Sequence, residues 1–188
     1  MRMRLKEPRM KPLDEPEWND EQKQILNPLK MGGHVFNVFT TLARDPKMMK
    51  AYLPFGAYIL GGSTLPPRER EILILRIGWL CRSEYEFGQH SVIGQGAGLT
   101  PEEISRITKG PKAKGWSPFD AALIRAVDEL HSDAFITDVT WHALAERYDE
   151  KQMIDVIMTV GAYSMLSMAL NSLGVQLDEG IPGFPKQP

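Results

Sequence analysis

LPPREREILILRIGWLCRSEYEFGQHSVIGQGAG, residues 65–98, passes from a proline pair through a charged turn into an apolar run and then into a polar cluster. Pro66-Pro67 suits a helix start, because the first turn has no backbone hydrogen bond for proline to remove. Arg68-Glu69-Arg70-Glu71 leads into Ile72-Leu73-Ile74-Leu75 and on to Ile77, Trp79 and Leu80, with Arg76 as the only polar interruption. An apolar run without a polar face is a helix buried on most sides. A strand would fit the run alone, but the proline start and the lack of turn signals favour helix. Composition then changes at Cys81-Arg82-Ser83-Glu84-Tyr85-Glu86-Phe87-Gly88-Gln89-His90. Polar groups that follow a core helix into the interior need partners or a function, since burying one unpaired costs about 1–3 kcal/mol.

On a helix from Ser83 onward, Ser83, Glu86 and His90 share one face, with Glu86 and His90 one turn apart. A carboxylate one turn from an imidazole can hold its tautomer and raise its pKa, as a general acid/base requires. A solvated surface pair has the same spacing, and spacing alone leaves both readings open.

The run from Pro67 to His90 resembles the signature helices of the carboxymuconolactone decarboxylase family, whose other well-known branch is the alkyl hydroperoxidase D-like proteins. The peroxidase branch carries an early glutamate, then Cys-x-x-Cys, and a histidine four residues after the second cysteine. On this chain the glutamate matches Glu71, the cysteine pair falls on Ser83 and Glu86, and the histidine falls on His90. Both thiols are missing, and Cys81 lies two residues too early. The decarboxylase branch carries Glu-x-x-x-His, which Glu86 and His90 match, and the likeness extends more loosely over residues 34–173. The resemblance implies an all-α, alkyl hydroperoxidase D-like helical bundle and a catalytic set of His90, Glu86 and Glu71. It also implies a trimer or hexamer with pockets near subunit contacts.

The chain has 188 residues, enough for one domain with a real core, and a net charge of −2 that offers nothing to nucleic acid or an anionic membrane. Its single cysteine rules out an intrachain disulfide and fits a reducing compartment. The charged, proline-rich start shows no signal peptide, and no spanning segment stands out, so a soluble cytoplasmic protein is expected.

Residues 1–18 read as an extended arm, with Pro8, Pro12 and Pro16 denying helix; it is either a flexible terminus or an arm that wraps a neighbouring subunit with Trp18 as its anchor. Residues 19–177 form the helical domain. Asn19 with Gln22, Thr100 with Glu103, and Asp149 with Gln152 are capping boxes, and Asp45-Pro46 and Ser117-Pro118 are further helix starts. Gly32-Gly33 turns into a short core helix, Pro54 bends the next one, and Thr137 caps a later one. About eight helices and no strand result. Residues 178–188 form an irregular tail. The helix from Asp149 to Leu173 is apolar on too many faces for one small domain to cover, which points to a homo-oligomer.

Ser83, Arg82, His34 and Tyr58 are candidate substrate-binding residues. A packed or cap-bonded role is the alternative for His34. Arg68, Arg70, Arg76 and Arg82 could each bind a carboxylate, but helix phase does not say which faces a pocket. No phosphate loop, dinucleotide fingerprint or Gly-x-Ser-x-Gly elbow occurs. Glu86 and His90 lack a third metal ligand, so no cofactor and no metal is expected. Thiol peroxidation needs a low-pKa cysteine beside a resolving one, which this chain lacks. Three readings follow. The first is a cofactor-free decarboxylase-like enzyme on a small cyclic acid or lactone, derived from aromatic compounds. The second is a hydrolase, isomerase or lyase on the same scaffold, and the third is a non-catalytic binding protein.

Overall fold

The computed structural model describes residues 4–185, so the outermost residues of the arm and the tail lie outside the described residues. Among these, the chain is all-α, with nine α-helices and no strand. They are α1 (Asp20–Leu26), α2 (Asn37–Leu42), α3 (Pro46–Ala57), α4 (Pro67–Leu80), α5 (Glu84–Gly96), α6 (Pro101–Ile107), α7 (Pro118–Asp133), α8 (Asp138–Ala145) and α9 (Glu150–Leu173). The helix α4 is the central rod, packed against α5, α7 and α9. Every residue from Glu69 to Trp79 is buried, as its lack of a polar face implies.

Helix starts follow the chemistry of their caps. Asn19, Thr100 and Asp149 form complete capping boxes, and Asp45 and Ser117 accept from the third helical N–H. Thr137 departs from expectation. Its hydroxyl is drawn 2.9 Å to the Glu129 carboxylate, which removes it from the end of α8. Pro54 lies inside α3, and a π turn, Tyr58–Gly62, follows directly. Asp155 fastens that turn to α9, accepting from the Tyr58 hydroxyl at 2.8 Å and from Thr64 N–H and Oγ1 at 2.7 and 2.8 Å.

The polar groups of α4 are paired rather than free. Arg68 bonds Asp120 and Glu103, Glu69 accepts from Arg147 and Tyr148, and Arg76 bonds Asp128 and the Ile107 carbonyl. These links tie α4 to its neighbours and take two of the four candidate arginines out of contention as substrate binders.

The described parts of both terminal segments fold back on the bundle. Arg9 and Met10 donate backbone hydrogen bonds to the Leu173 carbonyl, and Leu13 donates to Thr40. Trp18 is buried beside Leu26, Val35 and Ala43, so it anchors the arm on its own chain rather than on a neighbour. Residues 178–185 of the tail are irregular and docked along α5. Phe184 packs on Trp79 and Phe87, and a Cβ at Gly88 would collide with the Pro182 carbonyl oxygen. By length and composition α9 could cross a membrane, but half of its most apolar 18-residue window is buried inside this domain.

Candidate active site

The antiparallel pair α4 and α5 is joined by Cys81, Arg82 and Ser83, and Arg82 turns the chain in the left-handed region at φ 52°. Small residues let the two helices approach closely. A Cβ at Gly78 would lie 3.4 Å from the Glu86 Cβ, and Gly94 sits against the Glu71 Cβ at 3.6 Å by the same measure. This contact brings Glu71 of α4 opposite His90 of α5.

His90 is held between two carboxylates. Its Nδ1 lies 2.6 Å from Glu71 Oε2, and its Nε2 lies 3.5 Å from Glu86 Oε2. Glu71, Glu86 and His90 are all buried, so the surface-pair alternative falls away. Arg70 closes the chain of charge, with Nε and Nη2 each 3.0 Å from Glu71 Oε1. The Tyr163 ring of α9 stands edge-on to the imidazole, 87° between planes and 4.8 Å between centroids.

The one-turn spacing assigns Glu86 the task of orienting the imidazole, while Glu71 enters the set only through the resemblance. The structure reverses these positions. The short contact runs between helices, to Glu71, whereas Glu86 keeps the looser distance of one helical turn. Arg70 occupies Glu71 Oε1 and leaves Oε2 to accept from the imidazole, so the network assigns a proton to Nδ1 and leaves Nε2 directed at Glu86. The Glu86 carboxyl is pushed up to about 7 by burial, with His90 opposing the rise and Glu71 adding to it. Glu86 therefore exchanges its proton near neutrality, next to the free imidazole nitrogen. Such a chain can take up or deliver one proton inside a site that excludes bulk water.

The other candidates are scattered. Arg82 is exposed on the turn and makes no contact with this cluster. Ser83 is fully buried at the start of α5, yet its hydroxyl caps nothing and has no partner among the described residues. Tyr58 belongs to the Asp155 network described above. His34 pairs at 3.2 Å with Asp178, which also accepts from Tyr85, Gln89 and the Asn37 backbone. That network ties the tail to α2 and α5, and the His34 side chain on it is largely exposed, neither packed nor bonded to a helix end. Of the four arginines, Arg70 alone reaches the carboxylate–imidazole chain. Tyr163 and Tyr52 were missed by sequence reasoning. The usable signal for Tyr163 was its place in the buried row Val156, Val160, Tyr163, Ser167 of α9.

Cys81 is half-buried, with Sγ 4.0 Å from His131 Nδ1 and 3.9 Å from Ser164 Oγ. Burial pushes its thiol up, which works against thiolate chemistry. Cys81→Ser should leave any turnover within a few-fold. A hydroperoxide reductase activity abolished by this substitution would contradict that expectation.

Residues 46–128 match the model of the carboxymuconolactone decarboxylase family. A search of curated proteins found no match. Among solved structures, the chain resembles an uncharacterized peroxidase-related protein from Silicibacter sp. TM1040, with 14% identity, TM-score 0.80, and coverage of 95% of this chain and 97% of that one. It also resembles an uncharacterized peroxidase-related protein with an alkylhydroperoxidase AhpD core from Ralstonia eutropha JMP134, with 20% identity, TM-score 0.75, and coverage of 90% and 93%. A third likeness is to the debrominase Bmp8, with 13% identity, TM-score 0.74, and coverage of 90% and 92%. At these identities the likeness is one of fold. The family match runs from α3 into α7, the segment that carries Glu71, Glu86 and His90.

Proposed function

We propose that this chain is a cofactor-free acid/base enzyme of the decarboxylase-like kind, acting in the cytoplasm on a small cyclic organic acid or lactone. The observation that carries the reading is His90 held between two buried carboxylates, one of which titrates near neutrality. A family that contains decarboxylases and a scaffold shared with a debrominase support a catalytic role.

In this reading the substrate carboxylate leaves as carbon dioxide, and the electron pair of the broken C–C bond passes into the adjoining unsaturated carbonyl. The resulting enolate takes a proton on carbon from the Glu86–His90 pair, and solvent restores that proton. Glu71, neutralised by Arg70, holds the imidazole so that Nε2 faces the reacting atoms. The test is a panel of unsaturated lactone carboxylic acids followed by ¹³C NMR, with His90→Gln as control. Carbon dioxide release by the wild type alone supports the reading, and rearrangement without it would indicate isomerase chemistry. No conversion of any panel member would count against a decarboxylase.

We also propose a symmetric homo-oligomer built on α9. Ile154, Met158, Gly161, Met165 and Met168 are exposed in one row spaced four and three residues apart, the seam along which helices pack. A Cβ at Gly161 would meet nothing within 4 Å, so another helix could come close there. Light scattering should give a multiple of the chain mass, and Met165→Glu should reduce it. A wild-type mass of one chain would overturn the assembly.

A further inference from the structure

The chain has five tyrosines, and their hydroxyls divide into two groups. Tyr58 bonds Asp155, Tyr85 bonds Asp178, and Tyr148 bonds Glu69, each a link between elements of the fold. Tyr52 and Tyr163 hydrogen-bond nothing among the described residues. Buried phenols ordinarily find a partner, so an unpartnered one calls for an explanation. Neither oxygen is among the fully enclosed unpartnered atoms, so neither is sealed off from solvent. One of them, Tyr163, lies against the His90 imidazole.

Tyr163 is 8% exposed, and its ring edge meets the His90 imidazole. Tyr52, half-buried on α3, feels the Glu86 carboxylate, and Tyr163 feels Glu86, Glu71 and Tyr52. Burial first, and then these charges, raise both phenols above their ordinary value, so both keep their protons and act as donors. The charge of the surroundings allows an anion to enter. Arg70 neutralises Glu71, and Glu86 is largely protonated below neutrality.

Building on the acid/base reading above, we infer that Tyr163, assisted by Tyr52, forms an oxyanion site that holds the carbonyl oxygen of the substrate as the enolate develops. As the bond to the departing carboxylate breaks, its electron pair settles on that oxygen and the two O–H donors tighten on it. The phenols give up no proton. The carbon receives its proton from the Glu86–His90 pair, so substrate carboxylate plus one proton yields product plus carbon dioxide. The substrate is thereby narrowed to acids whose carboxylate stands on a saturated carbon next to a carbonyl or its vinylogue, so that the electron pair of the breaking bond can reach the carbonyl oxygen.

The test uses 4-nitrophenolate as a stable oxyanion and nitrobenzene as its neutral counterpart, with binding to the full chain followed by absorbance and calorimetry. The wild type should bind the phenolate in preference and lower the pKa of the bound phenol. Tyr163→Phe should weaken phenolate binding roughly 10- to 100-fold while leaving nitrobenzene unchanged, with Tyr52→Phe showing the same selectivity to a smaller extent. Equal loss of both probes would mark Tyr163 as structural and overturn the inference, as would a wild type that does not prefer the phenolate. Because binding is read without turnover, a failed decarboxylation panel leaves this result intact. Conversely, turnover with no phenolate preference would remove the oxyanion site and leave the acid/base reading standing.

Discussion

His90→Gln is expected to lower turnover roughly 10²- to 10⁴-fold, the usual contribution of a positioned general acid/base. Glutamine keeps a donor for Glu71 but cannot carry a proton between Glu86 and the substrate. The imidazole it replaces is buried, 2.6 Å from Glu71 and 3.5 Å from Glu86, so no bulk water stands ready to take over the transfer. Affinity for 4-nitrophenolate should change far less than turnover, because the proposed phenol donors remain. Steady-state kinetics beside probe binding separates these effects. Turnover within tenfold of the wild type would remove His90 from the mechanism.

Glu86→Gln is expected to impair turnover and yet stabilise the fold at alkaline pH. In the folded chain the Glu86 carboxyl stands at about 7, against an ordinary value of 4.5, because burial disfavours its charge. Below pH 4.5 the carboxyl is protonated in both folded and unfolded chains, and this group is neutral to stability. Between 4.5 and about 7 the unfolded chain loses its proton while the folded chain keeps it, so stability falls as pH rises. Above 7 the full cost is about 3 kcal/mol, which a neutral glutamine does not incur. Denaturant unfolding should therefore show the variant ahead of the wild type at pH 8 and level with it near pH 4. A variant less stable than the wild type at pH 8 would mean that Glu86 contributes to the fold through its charge. Retention of a strained, titratable carboxyl at a stability cost is what a functional site shows.

Much of this arrangement was legible in the sequence, for physical reasons. The apolar run of α4, the caps at Asn19, Thr100 and Asp149, and the one-turn spacing of Glu86 and His90 are local features that tertiary packing did not override. Choice among Arg68, Arg70, Arg76 and Arg82 was not legible. A helix buried on all sides has no polar face to orient it, so only the partners in space single out Arg70. The relative roles of Glu71 and Glu86 depend on how closely α4 and α5 approach, which Gly78 and Gly94 set across the helix pair. Tyr163 was hidden by the same apolar surroundings that made α9 readable as a long helix. The arm followed its prolines in being extended, but its docking on Leu173 and Thr40 is a tertiary choice that composition does not encode.

The claim on which the mechanism rests is that Glu86 is a buried carboxyl that exchanges its proton near neutrality beside His90. A ¹³C NMR titration of carboxyl-labelled glutamate, with the Glu86 signal assigned by its absence in Glu86→Gln, measures this directly. A midpoint near 7 is expected, and a midpoint near the ordinary 4.5 would contradict the proton-carrying pair.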